Sequence, residues 1–140
     1  MKSAYLEKTL KIVSTNDDFN DEIEIINKIE EGFSFEVIEE LITENKFSLQ
    51  EIIELVLPNR TYYRRKKEMR LNSEESDIVA NLFNLTEFAE EVFGDKEKAY
   101  NWLRRINRSL KSRKPIALLK TAFGRKIVED VLSRIAYGVY

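Results

Sequence analysis

Apolar residues recur every three or four positions along most of the chain, with polar residues between them, which is the spacing of amphipathic helices. In the first half this pattern covers three segments, at about residues 21–31, 35–42 and 48–57. Gly32 follows the first segment, where helices often end, and Ser34 can cap the second. Pro58 ends the third, because the residue before a proline is disfavoured in the helical region. The pattern therefore predicts three short helices.

Helical spacing continues through the second half, and the chain shows no convincing strands, internal repeat or flexible linker. The expected helices cover about residues 59–70, the stretch from Asn72 to Gly94, the stretch from Asp95 to Ile106, the turn after Pro115 and the segment after Gly124. Asn59, Asn72 and Asp95 can each cap the helix that follows. We therefore predict an all-α protein of seven or eight short helices, with a loose division near residue 71.

A capped helix, a short break and a basic second helix follow one another between Ser48 and Arg70. Ser48-Leu49-Gln50-Glu51 has the form of a capping box, with Phe47 and Ile52 in the flanking staple positions. Helices at about residues 48–57 and 59–70, separated by Leu57-Pro58, have the form of a helix-turn-helix. The second helix would then be the recognition helix of a DNA-binding region.

The second helix carries side chains that suit DNA, because residues 59–70 hold six Lys/Arg and one Asp/Glu. Arginine can pair with guanine edges, lysine and arginine neutralise phosphates, and Asn or Thr can contact phosphate or a base. Helical spacing places Arg60, Tyr63, Arg64 and Lys67 on one face, whereas Tyr62 and Met69 are expected to face the core. The candidate DNA-binding residues are Asn59, Arg60, Thr61, Tyr63, Arg64, Arg65 and Lys67. A solvated helix face without DNA contact is the alternative.

The charge of the 140-residue chain is unevenly distributed, although the net charge is only −2. Residues 1–58 carry 5 Lys/Arg and 14 Asp/Glu, whereas residues 59–140 carry 18 and 11. A second basic run, residues 104–114, holds six positive residues and no acid. Because local fields govern which partners approach, the acidic overall balance does not exclude an anionic partner.

Composition excludes several classes of function. The chain has no Cys and no His, which excludes disulfides, thiolate or imidazole metal sites, and Ser–His or Cys–His catalysis. No nucleophile or ligand cluster accompanies the paired carboxylates at Glu90-Glu91 and Glu129-Asp130. No apolar run approaches about 18 residues, and the N-terminal segment is charged where a signal peptide is apolar. We therefore expect a cytoplasmic protein that is not an enzyme and that holds no cofactor or metal.

From Leu71 onward the chain carries a series of motifs in a recognisable order. They run L-N-S-E-E-S-D, E-F-A-E-E-V-F-G-D-K-E-K-A-Y-N-W-L, N-R-S-L, P-I-A-L-L and G-R-K-I-V-E-D-V-L-S-R-I-A-Y-G-V-Y. This order and spacing closely resembles the toxin-binding domain of Xre/MbcA/ParS-type antitoxins. The upstream N-R-T-Y-Y-R-R-K-K resembles the family's recognition-helix stretch, so the resemblance covers roughly residues 48–140. The chain departs from the family at Lys111-Ser112-Arg113, where glycine is usual, and at Leu57-Pro58, where the turn usually contains glycine.

The resemblance implies a fold in which residues 1–70 form an N-terminal helical region with an Xre-like helix-turn-helix. Residues 71–140 would then form a C-terminal helical toxin-binding domain. It implies an antitoxin of a type II toxin–antitoxin system that neutralises a RES-domain, NAD-depleting toxin by binding near the active site. It also implies autorepression of the operon, with a homodimer bound to operator DNA inside a larger toxin–antitoxin complex.

In the family the carboxyl end of the antitoxin approaches the toxin's active-site cleft. The toxin-binding residues that this implies are Trp102, Arg134, Tyr137, Gly138, Val139 and Tyr140. A core position is the alternative for Trp102, and a frayed terminus is the alternative for the last residues. For the whole chain, the alternative is a stand-alone helix-turn-helix regulator or a partition-type DNA-binding protein without a toxin.

Overall fold

A computed structural model describes residues 4–11 and 17–138 of the chain. Within these residues the chain forms eight α-helices and two short 3-10 helices, and no strand. The α-helices are α1 (Ala4–Thr9), α2 (Asp18–Glu31), α3 (Glu36–Thr43), α4 (Leu49–Leu55), α5 (Asn59–Glu68), α6 (Ser73–Phe93), α7 (Lys96–Leu103) and α8 (Ala122–Ala136). The 3-10 helices are η1 (Arg108–Leu110) and η2 (Pro115–Leu118). The prediction of an all-α fold is confirmed, and none of the described helices is both long and apolar enough to cross a bilayer.

The helices begin where short local motifs satisfy their free amide groups. At α4 the Ser48 hydroxyl accepts from the Glu51 N–H at 3.1 Å, and the Glu51 carboxylate accepts from the Ser48 N–H at 2.9 Å. Asn72 and Glu75 exchange the same pair of hydrogen bonds at the start of α6, at 2.9 and 2.8 Å. The Asp95 side chain caps α7. These three predicted helix starts are confirmed.

Two local predictions around α5 are wrong. Asn59 is the first residue of the helix and not its cap, because Pro58 occupies the N-cap position with φ −52° and ψ 153°. Tyr62 is buried as expected, but Met69 is 70% exposed. Met69 is the C-cap residue with a left-handed φ of 64°, so its side chain no longer follows the period of the helix.

The helices form two compact units, one reaching to Asn84 and the other beginning at Leu85, so the division falls inside α6. The expected division between residues 70 and 71 would fall at the turn between α5 and α6, and it stays a prediction. The core of the first unit consists of side chains that are almost wholly buried: Phe33, Val37, Ile38, Leu41, Phe47, Ile52, Leu57, Leu82 and Phe83. Burial of this apolar surface is the main force that holds α2–α6 together in this unit.

The segment after α5 is fixed to the segment after α2. The Leu71 N–H donates to the Phe33 carbonyl at 2.9 Å, and the Arg70 guanidinium donates to the Gly32 carbonyl at 2.7 Å. Gly32 has a φ of +89°, and a Cβ on this residue would overlap the Leu71 carbonyl oxygen. Only glycine fits both the conformation and the close approach, so Gly32 lets the chain after α5 pack tightly against the chain after α2.

In the second unit α7 and α8 both pack against η2. A side-chain cap begins α8, and two further features hold its start near η2. The Thr121 hydroxyl accepts from the Gly124 N–H at 3.0 Å, the Arg125 guanidinium donates to the Leu119 carbonyl at 3.0 Å, and Gly124 lies so close to η2 that a Cβ would overlap the Leu118 carbonyl oxygen. The buried side chains of this unit include Ala99, Leu103, Leu110, Ile116, Leu119, Val128 and Leu132.

Candidate functional site

The first candidate surface is the α5 basic face, which consists of Arg60, Tyr63, Arg64 and Lys67. All four residues are exposed. The opposite side of the helix is held by Tyr62, whose ring packs edge-on against Phe35 with 5.4 Å between the centroids. Burial raises the pKa of the Tyr62 hydroxyl, and the charges of Tyr63 and Glu39 raise it further. The buried tyrosine therefore orients α5 with its basic side toward solvent.

Arg65 lies in a different environment from the α5 basic face. Its side chain is only 17% exposed, and its Nε donates to the Glu75 carboxylate at 2.8 Å. The hydrogen bond that Arg65 donates to Glu75 raises the pKa of Arg65 above its ordinary value. The same Glu75 oxygen accepts from the Asn72 N–H, so Arg65 connects α5 to the first turn of α6. A DNA contact by Arg65 stays a prediction.

The other positively charged residues between positions 59 and 70 differ in whether an acidic side chain already pairs with them. Arg64 lies 3.6 Å from the Glu68 carboxylate in an exposed pair, which is a weak interaction in water. Among the described residues, Arg60, Lys66 and Lys67 are exposed and have no acidic partner. These three cations and Arg64 are therefore available to an anionic partner.

The N-terminus of α5 adds a second feature that suits an anion. The described residues provide no side-chain cap at Pro58, and the first turn contains no acidic residue. Unpaired amides at a helix start carry about half a positive charge and favour phosphate. Asn59 and Arg60 are exposed there, and Thr61 is half-buried. Free amides, the Asn59 side chain and the Arg60 cation therefore lie at one end of the helix, a combination that suits a phosphate.

The predicted toxin-binding residues fall into two groups. Trp102 lies on α7 and is half-buried, with its ring packed against Phe93 at a centroid distance of 5.7 Å. Arg134, Tyr137 and Gly138 lie together at the carboxyl end of α8, and all three are exposed. Gly138 has a φ of +69°, a backbone reversal that glycine adopts readily. The predictions for Val139 and Tyr140 fall outside the described residues.

The second basic run forms the loop that contains η1. The Arg104 guanidinium lies 3.9 Å from the centre of the Tyr100 ring, so Arg104 packs on its own helix. Lys111 and Ser112 have left-handed φ angles of 53° and 61°, at the positions where the resembling family usually has glycine. This conformation costs an L-residue roughly 1–2 kcal/mol. The loop therefore keeps its shape at some cost to the stability of the chain.

The sequence analysis gave no role to Phe123. Phe123, at the start of α8, is 77% exposed. The signal is present in the sequence, because Phe123 lies off the stripe formed by Gly124, Val128 and Leu132, the buried residues of the helix. An apolar residue outside the buried stripe of an amphipathic helix faces solvent.

Comparison with known proteins relates the chain to one family. Residues 88–138 match the family described as the Antitoxin Xre/MbcA/ParS C-terminal toxin-binding domain. The chain is 31% identical to Antitoxin Xre of Yersinia enterocolitica over 119 residues, which cover 83% of this chain and 80% of the relative. It is 31% identical to Antitoxin Xre of Pseudomonas putida over 136 residues, covering 96% and 82%. Antitoxin Xre of Photorhabdus laumondii is 26% identical over 114 residues, covering 79% and 77%.

Proposed function

Because the chain belongs to the Xre antitoxin family, we propose that it neutralises a RES-domain, NAD-depleting toxin by binding near the toxin's active site. The observation that carries the proposal is the match to a toxin-binding domain, which includes the exposed carboxyl end of α8. Membership in an antitoxin family agrees with the expectation that the chain is not an enzyme. Neutralisation then needs only a binding surface that blocks the active site of the toxin.

The proposed contact begins with Arg134, Tyr137 and Gly138 and continues into Val139 and Tyr140. Tyr137 supplies a large ring with a polar hydroxyl, a combination common among residues that anchor interfaces. Arg134 lies one turn earlier on α8 and supplies a planar cation that can pair with a carboxylate. Trp102 contributes through its exposed edge. Occupation of the nucleotide cleft by these groups would exclude NAD from the toxin.

Co-expression of this chain with the product of the adjacent open reading frame, which we expect to be a RES-domain toxin, tests the proposal. The full chain should restore growth and cellular NAD, whereas a chain ending at Ala136 should protect much less. Operator binding by the shortened chain serves as the control, because the removed residues lie far along the sequence from α5. Full protection by the shortened chain would contradict the proposed contact. An unchanged NAD level on expression of the toxin alone would contradict the choice of partner.

We also propose that α5 binds the operator of the chain's own operon and represses it. The exposed cations and uncapped start of α5 support this proposal. A homodimer would place two recognition helices in successive major grooves, about 34–36 Å apart, within a larger toxin–antitoxin complex. Gel shifts with upstream DNA test it, with scrambled DNA as the control.

These two proposals assign a role to each part of the chain. Residues 1–70 would serve DNA binding, and residues 71–140 would serve toxin binding. Both partners, chromosomal DNA and an NAD-depleting toxin, would place the action of the chain in the cytoplasm. A stand-alone regulator would bind the operator equally well but would leave the toxin active, so the two assays together separate these functions.

A further inference from the structure

One face of α8 is exposed from the beginning of the helix to its end. We call it the α8 outer face, and it consists of Phe123, Lys126, Asp130, Arg134 and Tyr137. The residues follow one another at three- or four-residue spacing, so they lie on one side of the helix. Phe123 and Tyr137, at the two ends, are 77% and 82% exposed. Among residues 4–11 and 17–138, the three charged side chains between them have no hydrogen-bond or ion-pair partner.

The dimensions and charges of this face favour a protein partner. Phe123 and Tyr137 are separated by fourteen residues, or about 21 Å at a helical rise of 1.5 Å per residue. A typical protein interface buries about 800 Å² on each side, a patch roughly 30 Å across, so one partner can cover both rings. A small ligand cannot span that distance. A lipid surface favours an unbroken apolar stripe, and Asp130 at the centre disfavours nucleic acid.

A second copy of the chain fits this face poorly. In a two-fold antiparallel pairing of α8 with itself, Asp130 would face Asp130 of the other copy. Lys126 would face Arg134 in the same arrangement. Three like-charge contacts at the centre of an interface oppose association, because charges of the same sign brought together without compensation cost several kcal/mol. The charge order, positive then negative then positive, therefore favours a different protein that carries the opposite order.

We propose that the α8 outer face is the surface on which the toxin docks, with Phe123 and Tyr137 as separate anchors at its two ends. This inference rests on the proposed function and extends it. The toxin-binding match includes all five residues, and the face is continuous with the proposed contacts of Arg134 and Tyr137. The toxin would provide two apolar pockets about 21 Å apart, with an acidic, a basic and an acidic group between them.

Titration calorimetry with the purified product of the adjacent open reading frame, the expected RES-domain toxin, tests the two anchors. Phe123→Ala and Tyr137→Ala should each weaken binding about 30-fold, the size of a hot-spot loss. Ile106→Ala is the matched control, because Ile106 is 62% exposed in the same unit but lies outside α8. Its affinity should stay within about twofold, as for most interface-distant surface changes. Asp130→Lys should weaken binding at least about tenfold through repulsion.

The outcomes distinguish this inference from the function on which it rests. Unaltered affinity of Phe123→Ala, together with weak binding by Tyr137→Ala, would overturn the two-anchor surface and leave a contact at the carboxyl end alone. No binding by the unaltered chain would overturn both proposals. Dissociation of a homodimer by Phe123→Ala, measured by light scattering, would show that the face joins two copies and would also overturn the inference. All of these substitutions are at exposed positions, and circular dichroism checks that the variants fold.

Discussion

The proposed operator contact predicts how one lysine contributes to binding and to its salt dependence. Four cations on α5 are available to phosphates, namely Arg60, Arg64, Lys66 and Lys67, which makes eight in a dimer. If each neutralises one phosphate, the logarithm of the affinity should fall with the logarithm of salt concentration at a slope of about −7. Affinity should therefore fall about 10⁴-fold between 50 and 200 mM salt.

Lys67→Gln removes two of the eight contacts in a dimer. The slope should become less steep, at about −5.4, and affinity at 0.15 M salt should fall about 30-fold, because each lost contact forfeits its share of counterion release. The free energy of unfolding should stay within about 0.5 kcal/mol of the unaltered value, because Lys67 is exposed. Lys98→Gln removes an exposed lysine from α7 and serves as the control with the same charge change.

Arg65→Gln, on the same helix, should change the stability of the fold, whereas Lys67→Gln should change DNA binding. Arg65 is mostly buried against Glu75, and its loss leaves that carboxylate without its cationic partner. We expect a loss of about 1–3 kcal/mol in the free energy of unfolding, below the full cost of breaking a wholly buried pair. Fluorescence anisotropy over a salt series and urea denaturation measure the two quantities. An unchanged salt slope in Lys67→Gln, or equal slopes for Lys67→Gln and Lys98→Gln, would refute the placement of α5 on DNA.

Three further predictions concern stability. Gly124→Ala should lower the free energy of unfolding by about 3 kcal/mol, because the added Cβ would overlap a backbone carbonyl. Gly94 has open space around it, so Gly94→Ala should cost only about 1 kcal/mol. Equal losses in urea denaturation would contradict the clash at Gly124. Lys111→Gly should raise the free energy of unfolding by about 0.5 kcal/mol by relieving its left-handed backbone, which thermal denaturation would detect. Since burial raises the pKa of Tyr62, the folded state binds this proton more tightly, so stability is retained below the unfolded pKa of about 10 and falls above it. Denaturation at pH 8 and 11 should show a smaller alkaline loss in Tyr62→Phe.

The features that sequence predicted correctly depend on a few neighbouring residues. The capping pairs at Ser48 and Asn72 form between residues three positions apart, so they can be read locally. The position of Arg65 cannot be read in this way, because its partner Glu75 belongs to the next helix. Met69 was assigned by extending the helical period, but α5 ends one residue earlier and the backbone there turns left-handed.

The candidate surfaces show the same limit. The helical period placed the α5 basic face on one side of the helix, but it could not show which of its cations already have partners in the fold. On α8, the predicted binding residues did not include Phe123, although its position off the buried stripe is visible in the sequence. Contacts between segments that are distant in sequence decide the first case, and a single sequence does not contain them; the second could be read from the helical period.

Some arginines around α5 hold the fold together and others face solvent, and this difference has a consequence for the design of new regulators. Arg65 and Arg70 form structural contacts with Glu75 and Gly32, so replacing them would disturb the helix that we propose reads the operator. Arg60, Arg64 and Lys67 project into solvent and can be varied without that cost. A library confined to these three positions should therefore yield folded proteins with altered operator preference, which would let several such operons be controlled independently in one cell.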